Sequence, residues 1–188
     1  MVIQSKQQIR EQQMLALKDF LGNPDAATVM DRLYQSLFSD PDFKQANTVG
    51  VTLSMAGEVS TAPIIAAVQS THRQVVVPRT LPHRQMEFVR LDDRTNLKAT
   101  KFGTREPVGG HVVAKSAIDV LIVPGLAFTR DHYRIGFGGG YYDRFLTGFT
   151  GCSIALATPP QIFDQPTGKL NRLINKLIKL FFSMGSVG

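Results

Sequence analysis

The sequence predicts a single α/β domain built on a three-layer open sheet, mostly parallel, with helices on both faces. Three observations carry that expectation. Segments of helical period alternate with short extended runs along the chain, as in a domain whose strands are joined by crossover helices. Several extended runs are continuously apolar rather than alternating, the pattern of strands covered on both faces. The run Val120, Leu121, Ile122, Val123 opens onto Pro124 and Gly125 and then onto a glycine-dense basic stretch, where open α/β sheets gather their ligands.

Ser5 and Gln8 form a capping box that opens a first helix, carrying Ile9, Leu17 and Leu21 and ending near Gly22, Asn23 and Pro24. A second helix follows, with Val29, Met30, Leu33, Tyr34 and Leu37 at helical spacing and Pro41 as its boundary. Strands are predicted over 48–53, 74–77, 86–90, 120–123 and 153–157, with a helix over 61–71 between the first two. Near the end, Leu170, Leu173, Ile174, Leu177, Ile178 and Phe181 share one stripe, with Lys169, Arg172, Lys176 and Lys179 largely opposite. That pattern predicts a basic amphipathic helix over 168–182. No internal repeat or low-complexity linker divides the chain, so residues 1–188 read as one domain, Rossmann-like in layout.

With 188 residues, 43% of them hydrophobic, the chain can bury a core without metals or disulfides. Its single cysteine, Cys152, excludes an internal disulfide and is placed on a strand in the core. The N-terminal stretch is too polar for a secretory signal, and no apolar run approaches the roughly 20 residues that span a bilayer, so a cytoplasmic monomer is expected. The net charge of +6 suits nucleic acid, an acidic surface or an anionic small ligand equally, so the placement of the charges decides. Aromatic residues do not interleave with basic ones on a strand motif, which counts against nucleic acid. His72, His83, His111 and His132 are scattered, with no zinc-ligand spacing, and Cys152 has no sequence context for activation.

The chemistry concentrates between residues 134 and 146. Gly136, Gly138, Gly139 and Gly140 can form a concave nest of main-chain N–H donors, and the helical look of 141–146 places a helix start behind it. Arg134 and Arg144 bracket the loop with guanidinium groups suited to phosphate, while Asp143 offers a hard oxygen for a magnesium ion bridging phosphates. A tight structural turn is the plainer reading of such glycines; four of them between two arginines and an aspartate favour a nucleoside triphosphate. The loop lacks the Gly-Lys-Ser/Thr of a Walker A motif, and Tyr141 stands where the dinucleotide fingerprint has its last glycine. Lys6 and Arg10, one helical turn apart, either clamp phosphates or face solvent. Glu58 reaches a crevice from a strand end or solvates a helix start. Tyr141 and Tyr142 offer rings for stacking and hydroxyl tips, Phe137 sits inside the loop facing a ligand, and Pro82, Met86 and Phe128 line a pocket or the core.

The run Val-Pro-Gly-Leu-Ala-Phe of 123–128, followed by Arg-Ile-Gly-Phe-Gly-Gly-Gly-Tyr-Tyr-Asp-Arg-Phe-Leu of 134–146, resembles the 5-formyltetrahydrofolate cyclo-ligase (methenyltetrahydrofolate synthetase) family. The resemblance can be followed over residues 3–166, through Glu58-Val-Ser-Thr61, Val77-Pro-Arg79, Met86-Glu-Phe88 and Glu106-Pro107. It implies a ligase that uses ATP and Mg²⁺ to cyclise 5-formyltetrahydrofolate to 5,10-methenyltetrahydrofolate through a phosphorylated formyl oxygen, releasing ADP and phosphate. The resemblance assigns the nucleotide to Lys6, Arg10, Arg134, Ile135 and Gly136, continuing through Phe137, Gly138, Gly139, Gly140, Tyr141 and Tyr142. It assigns the folate to Glu58, Met86, Phe137, Gly138, Gly139, Gly140 and Tyr141, catalysis to Arg134 and Tyr142, and magnesium to Asp143. On this reading Asp143→Asn reduces magnesium-dependent turnover far more than stability. The chain departs from the family at Gly139, where some relatives carry a lysine, and after Pro166, where the usual His-Asp pair and final strand are missing. A non-catalytic nucleotide-binding module that lost its active C-terminal end is the second reading.

Overall fold

The computed structural model describes residues 6–100, 103–163 and 179–182. Five helices, α1 (Lys6–Leu21), α2 (Asp25–Ser39), α3 (Pro41–Gln45), α4 (Ala62–Gln69) and α5 (Tyr141–Leu146), are interleaved with twelve strands in these segments. The strands are β1 (Thr48–Gly50), β2 (Gln74–Leu81), β3 (Gln85–Arg90), β4 (Leu97–Ala99), β5 (Arg105–Pro107) and β6 (Val112–Val113). They continue with β7 (Val120–Ile122), β8 (Ala127–Thr129), β9 (Arg134–Ile135), β10 (Cys152–Ala157), β11 (Ile162–Phe163) and β12 (Lys179–Phe182).

The first two helices end where turn residues take over. At Asp40 the backbone leaves the helical region, and its carboxylate accepts from the amides of Asp42 and Phe43 at 3.0 and 3.1 Å. Pro41 therefore starts a new short helix rather than merely ending the old one, because the first helical position needs no N–H. Ser5, the expected cap of α1, lies outside the described residues.

Seven strands form the main sheet in the order β12-β10-β7-β1-β2-β3-β6, and every neighbouring pair from β12 to β2 is parallel. The β2–β3 and β3–β6 pairs are antiparallel, so the sheet is mostly parallel as the apolar runs predict. A small sheet, β11-β8-β9, and the β4–β5 hairpin complete the strands.

Period-two alternation sorts the central strands onto two cores. Val49, Val75, Val120 and Ile154 join Leu33, Leu37, Phe43 and Ile64 from α2, α3 and α4. Val76, Leu121 and Ala155 face the other way, onto Phe88, Phe128 and Phe145. One face is thus roofed by α2 and α4. The other is covered, among the described residues, by the six-residue α5 and by β8, with less helix there than a symmetric three-layer expectation implies.

The C-terminal expectation is corrected. Lys179–Phe182 is a strand, paired in parallel with β10 from Ile154↔Lys179 to Ala157↔Phe182. Phe181 packs on the first core while Leu180 and Phe182 pack on the second, a period of two that the open edge of β10 imposes over the helical stripe. The rest of the expected helix, residues 168–178, lies outside the described residues. Lys179 Nζ also reaches Asp40 at 2.6 Å and Asp42 at 2.7 Å, fastening the edge strand to the α2–α3 junction. Since Asp40 is 9% exposed and serves both the cap and this ion pair, Asp40→Ala is expected to cost about 2–3 kcal/mol. A thermal melt should then show a midpoint about 6 °C lower; an unshifted midpoint would mean that the junction is held by packing alone. Among the described residues no helix is long and apolar enough to cross a membrane.

Candidate functional site

The carboxyl ends of β1, β7 and β10 converge on a cavity of about 50 Å³. Thr52 and Ser54 line it from beyond β1, Val123 to Gly125 from beyond β7, and Gln161 from beyond β10. Glu58 and Phe137 also line the cavity, so two residues expected to touch ligand meet there from opposite sides of the sequence.

Beside the cavity runs the glycine loop, from β9 to α5. Gly138 (φ +104°) and Gly140 (φ +72°) hold left-handed conformations that side chains disfavour. The main-chain amides of residues 137–140 donate to no group among the described residues, which leaves a concave row of N–H donors for an anion. Arg10 crosses to this loop from α1, its Nε donating to the Gly136 carbonyl at 3.0 Å across 126 positions of sequence. Its guanidinium lies beside Gly138. Lys6 opens α1 one turn earlier, and its side chain lies outside the described residues. Because α5 is under two turns long, its dipole adds little to the row of amides.

Arg134 sits differently from a phosphate ligand on the open side of a loop. Only 4% exposed, it donates from one Nη to the Pro124 carbonyl at 2.9 Å and from the other to Asp143 Oδ1 at 2.5 Å. Its Nε has no partner among the described residues. The guanidinium also stacks near Tyr142, 5.8 Å from the ring centre. Close approach explains Gly136, where a Cβ would lie 2.4 Å from an Arg134 nitrogen. At Gly139 a Cβ would lie 2.7 Å from the Tyr141 ring, which rests on that peptide. Ile135 ends β9, and its carbonyl accepts from the amide of Leu126 at 2.8 Å.

Asp143 is a third exposed and anchored by Arg134. Among the described residues no group of three His, Cys, Asp or Glu side chains could cage a metal. One held carboxylate beside unpartnered amides fits an ion that brings phosphate oxygens and water as its remaining ligands, which is how magnesium is commonly bound with nucleotides.

Glu58 Oε2 accepts from the Met55 amide at 2.9 Å, and burial pushes its carboxyl above the ordinary range. The Tyr142 hydroxyl is hydrogen-bonded to Thr52 Oγ1. Burial pushes the phenol up to about 12, against the pull of Thr52 and Arg134. Cys152, half-buried at the start of β10, has its thiol pushed up to about 11 by burial and then by Asp42, so it stays an unreactive thiol at neutral pH. Met86 packs against the second core and Phe128 is fully buried there, so neither lines this cavity.

Several site residues carry no chemical signature in sequence. Thr61 Oγ1 donates to the Thr52 carbonyl at 2.6 Å and receives the Ser54 amide at 3.1 Å, lacing the β1–α4 loop. Gln161, 2% exposed, donates to the Gly125 carbonyl at 2.7 Å and accepts from the Thr158 amide at 2.9 Å. The Thr-x-x-Gln spacing of a capping box was the readable clue to that lock. Thr52 offered none.

The chain matches the 5-formyltetrahydrofolate cyclo-ligase family over residues 2–165. It is 34% identical over 117 residues to the 5-formyltetrahydrofolate cyclo-ligase of Escherichia coli, covering 56% of this chain and 60% of that one. To the Haemophilus influenzae protein of the same name it is 32% identical over 107 residues, covering 55% and 57%. The chain thus spans about 60% of the length of the curated relatives it matches. In structure it resembles Aquifex aeolicus 5,10-methenyltetrahydrofolate synthetase, with a TM-score of 0.77 at 26% identity over 94% of this chain and 89% of the other. The fold of the Mycoplasma pneumoniae 5,10-methenyltetrahydrofolate synthetase is also shared, with a TM-score of 0.73 at 20% identity over 94% and 98%. With the match running from the start of α1 through β11, the chain belongs to the 5-formyltetrahydrofolate cyclo-ligase family.

Proposed function

We propose that this chain is an ATP-dependent ligase that cyclises 5-formyltetrahydrofolate to 5,10-methenyltetrahydrofolate. The observation that carries the reading is the approach of Arg10 to a loop whose amides at 137–140 have no partner among the described residues, beside a cavity at the sheet's carboxyl edge. Such a cradle suits a triphosphate, and the family is one of ATP-dependent ligases.

Cyclising a formamide requires expelling its oxygen, a poor leaving group. The formyl oxygen attacks the γ-phosphorus of ATP and ADP departs with the bridging oxygen's electrons. N10 then adds to the formyl carbon and loses its proton, and inorganic phosphate leaves with the former formyl oxygen. For this sequence the protein needs no nucleophile, only positioned donors and cations. Arg10 and the amides of 137–140 hold the phosphates, with Lys6 at the same end of α1. Asp143 would hold magnesium, with Arg134 fixing its carboxylate. A bound magnesium ion neutralises charge on the phosphate oxygens. Glu58 contacts the folate and Tyr141 stacks on its ring or on that of the nucleotide.

Purified protein given 5-formyltetrahydrofolate, ATP and Mg²⁺ should form product, seen as the rise of methenyl absorbance and the release of phosphate. Binding of ATP without turnover would favour the non-catalytic module instead. Part of the motive for that second reading was a missing final strand, and β12 supplies one. Failure to bind either substrate would overturn both readings.

A further inference from the structure

Thr52 stands just past β1, and its side chain does two things at once: it lines the cavity and it meets the hydroxyl of Tyr142, 90 positions away. Two hydroxyls in contact hold two protons, and only one of them can lie between the oxygens. A phenol is a far stronger acid than an aliphatic alcohol, so Tyr142 donates and Thr52 accepts. The Thr52 proton must then point elsewhere. Tyr142 is packed against the second core, whereas Thr52 is on the cavity wall, so the open direction is the cavity.

The position of Thr52 is well fixed. Its carbonyl accepts from Thr61 Oγ1 at 2.6 Å, and Ser54 Oγ receives the Thr61 amide at 3.1 Å, so the strand end cannot drift from the helix start of α4. A hydroxyl that accepts from one donor becomes a better donor itself, because the two bonds polarise each other. The wall therefore carries one aimed and strengthened O–H.

We infer that Thr52 is a specificity-determining residue whose hydroxyl, backed by Tyr142, donates a hydrogen bond to a carbonyl oxygen of the folate in the cavity. This rests on the proposed reaction. It makes Tyr142 a positioning residue acting through Thr52.

The test uses the full-length chain with Thr52→Val, which keeps the shape and removes the hydroxyl, Thr52→Ser, which restores it, and Tyr142→Phe. Thr52→Val is expected to raise KM for 5-formyltetrahydrofolate roughly tenfold, as loss of a partner to a buried acceptor does. KM for ATP should stay within about twofold, since the proposed bond is to the folate and not to the phosphates. Thr52→Ser should recover most of the loss, and Tyr142→Phe should raise KM by a smaller factor, because only the polarisation is lost. Calorimetric binding of 5-formyltetrahydrofolate without ATP should show the same ranking, independently of turnover, with melting midpoints confirming that the variants fold. A Thr52→Val protein that binds and cyclises the folate like its active parent overturns this inference and leaves the reaction standing. A parent that neither binds nor cyclises 5-formyltetrahydrofolate overturns the reaction, and this inference with it.

Discussion

Asparagine at position 143 is expected to lower turnover roughly 10²–10³-fold at saturating ATP and Mg²⁺, the usual loss when one placed charge leaves a transition state. The amide keeps an oxygen for Arg134 but gives up the negative charge proposed to hold a cation beside the phosphates. It also leaves a guanidinium that is 4% exposed without its counter-charge. A stability loss of about 1–2 kcal/mol should accompany the kinetic one, because a hydrogen bond to a charged partner becomes a weaker, neutral one. The kinetic loss is still expected to be the larger of the two, as the sequence reading has it. Steady-state rates titrated with Mg²⁺, paired with chemical denaturation, separate the two effects. Parental turnover would remove the carboxylate from the metal role, while unchanged stability would show that Arg134 finds an equal partner elsewhere.

Alanine at Gly136 is expected to do more damage than its single methyl suggests. The new carbon would lie 2.4 Å from an Arg134 nitrogen and 3.2 Å from the guanidinium carbon, so either the arginine or the loop must move. Arg134 has nowhere to go: its two terminal nitrogens are committed to Pro124 and Asp143, and its aliphatic stem rests where a Gly125 side chain would be, 3.0 Å from the Cβ position there. Displacing it breaks a buried ion pair and overpacks the strand end, for a combined cost of about 3 kcal/mol. If the loop moves instead, Arg10 loses the Gly136 carbonyl and the amide row loses its shape. ATP affinity should then fall roughly 100-fold, since small misplacements near a reacting group have effects of that size. Calorimetry with ATP and a thermal melt of the same sample read both outcomes. A Gly136→Ala protein with parental affinity and midpoint would mean that the close approach at this glycine relaxes without consequence.

Most of the framework was legible because local pattern and tertiary demand agree. Helices α1 and α2 follow from apolar spacing and from the Gly22-Asn23-Pro24 stop, and the five expected extended runs all contain strands of the main sheet. What escaped detection depends on partners distant in sequence. Strand β2 runs on to Leu81, past Pro78, because Val76 to Leu81 pair with the whole of β3. The short β8 and β9 exist only by bonding each other and β11. At the C-terminus a helical stripe and a strand alternation compete within the same residues, and the free edge of β10 decides for Lys179–Phe182. In the site, glycines, arginines and aspartate announced an anion loop, yet the division of labour did not show. Nothing local says that Arg134 turns inward to hold Asp143 while Arg10 comes from the other end of the chain to flank the loop. Thr52 was invisible for the same reason, since its meaning lies in a tyrosine 90 residues later.

The loop's dependence on Arg10, and the cavity's on Gln161, has a consequence for how this protein is made. A chain emerging from the ribosome presents its first helix early, but nothing can be bound until β10 and the turn after it have been synthesised and threaded into place. A parallel sheet whose central strands are joined only through such distant neighbours assembles slowly, since long segments must close before any contact rewards them. Once formed, the site ties Arg10 of the first helix to Gln161 beyond β10, so a ligand bound there as proposed resists the unfolding of both segments together. Excess ATP should therefore slow exchange of distant core amides that open only on global unfolding by the same factor as of those beside the loop.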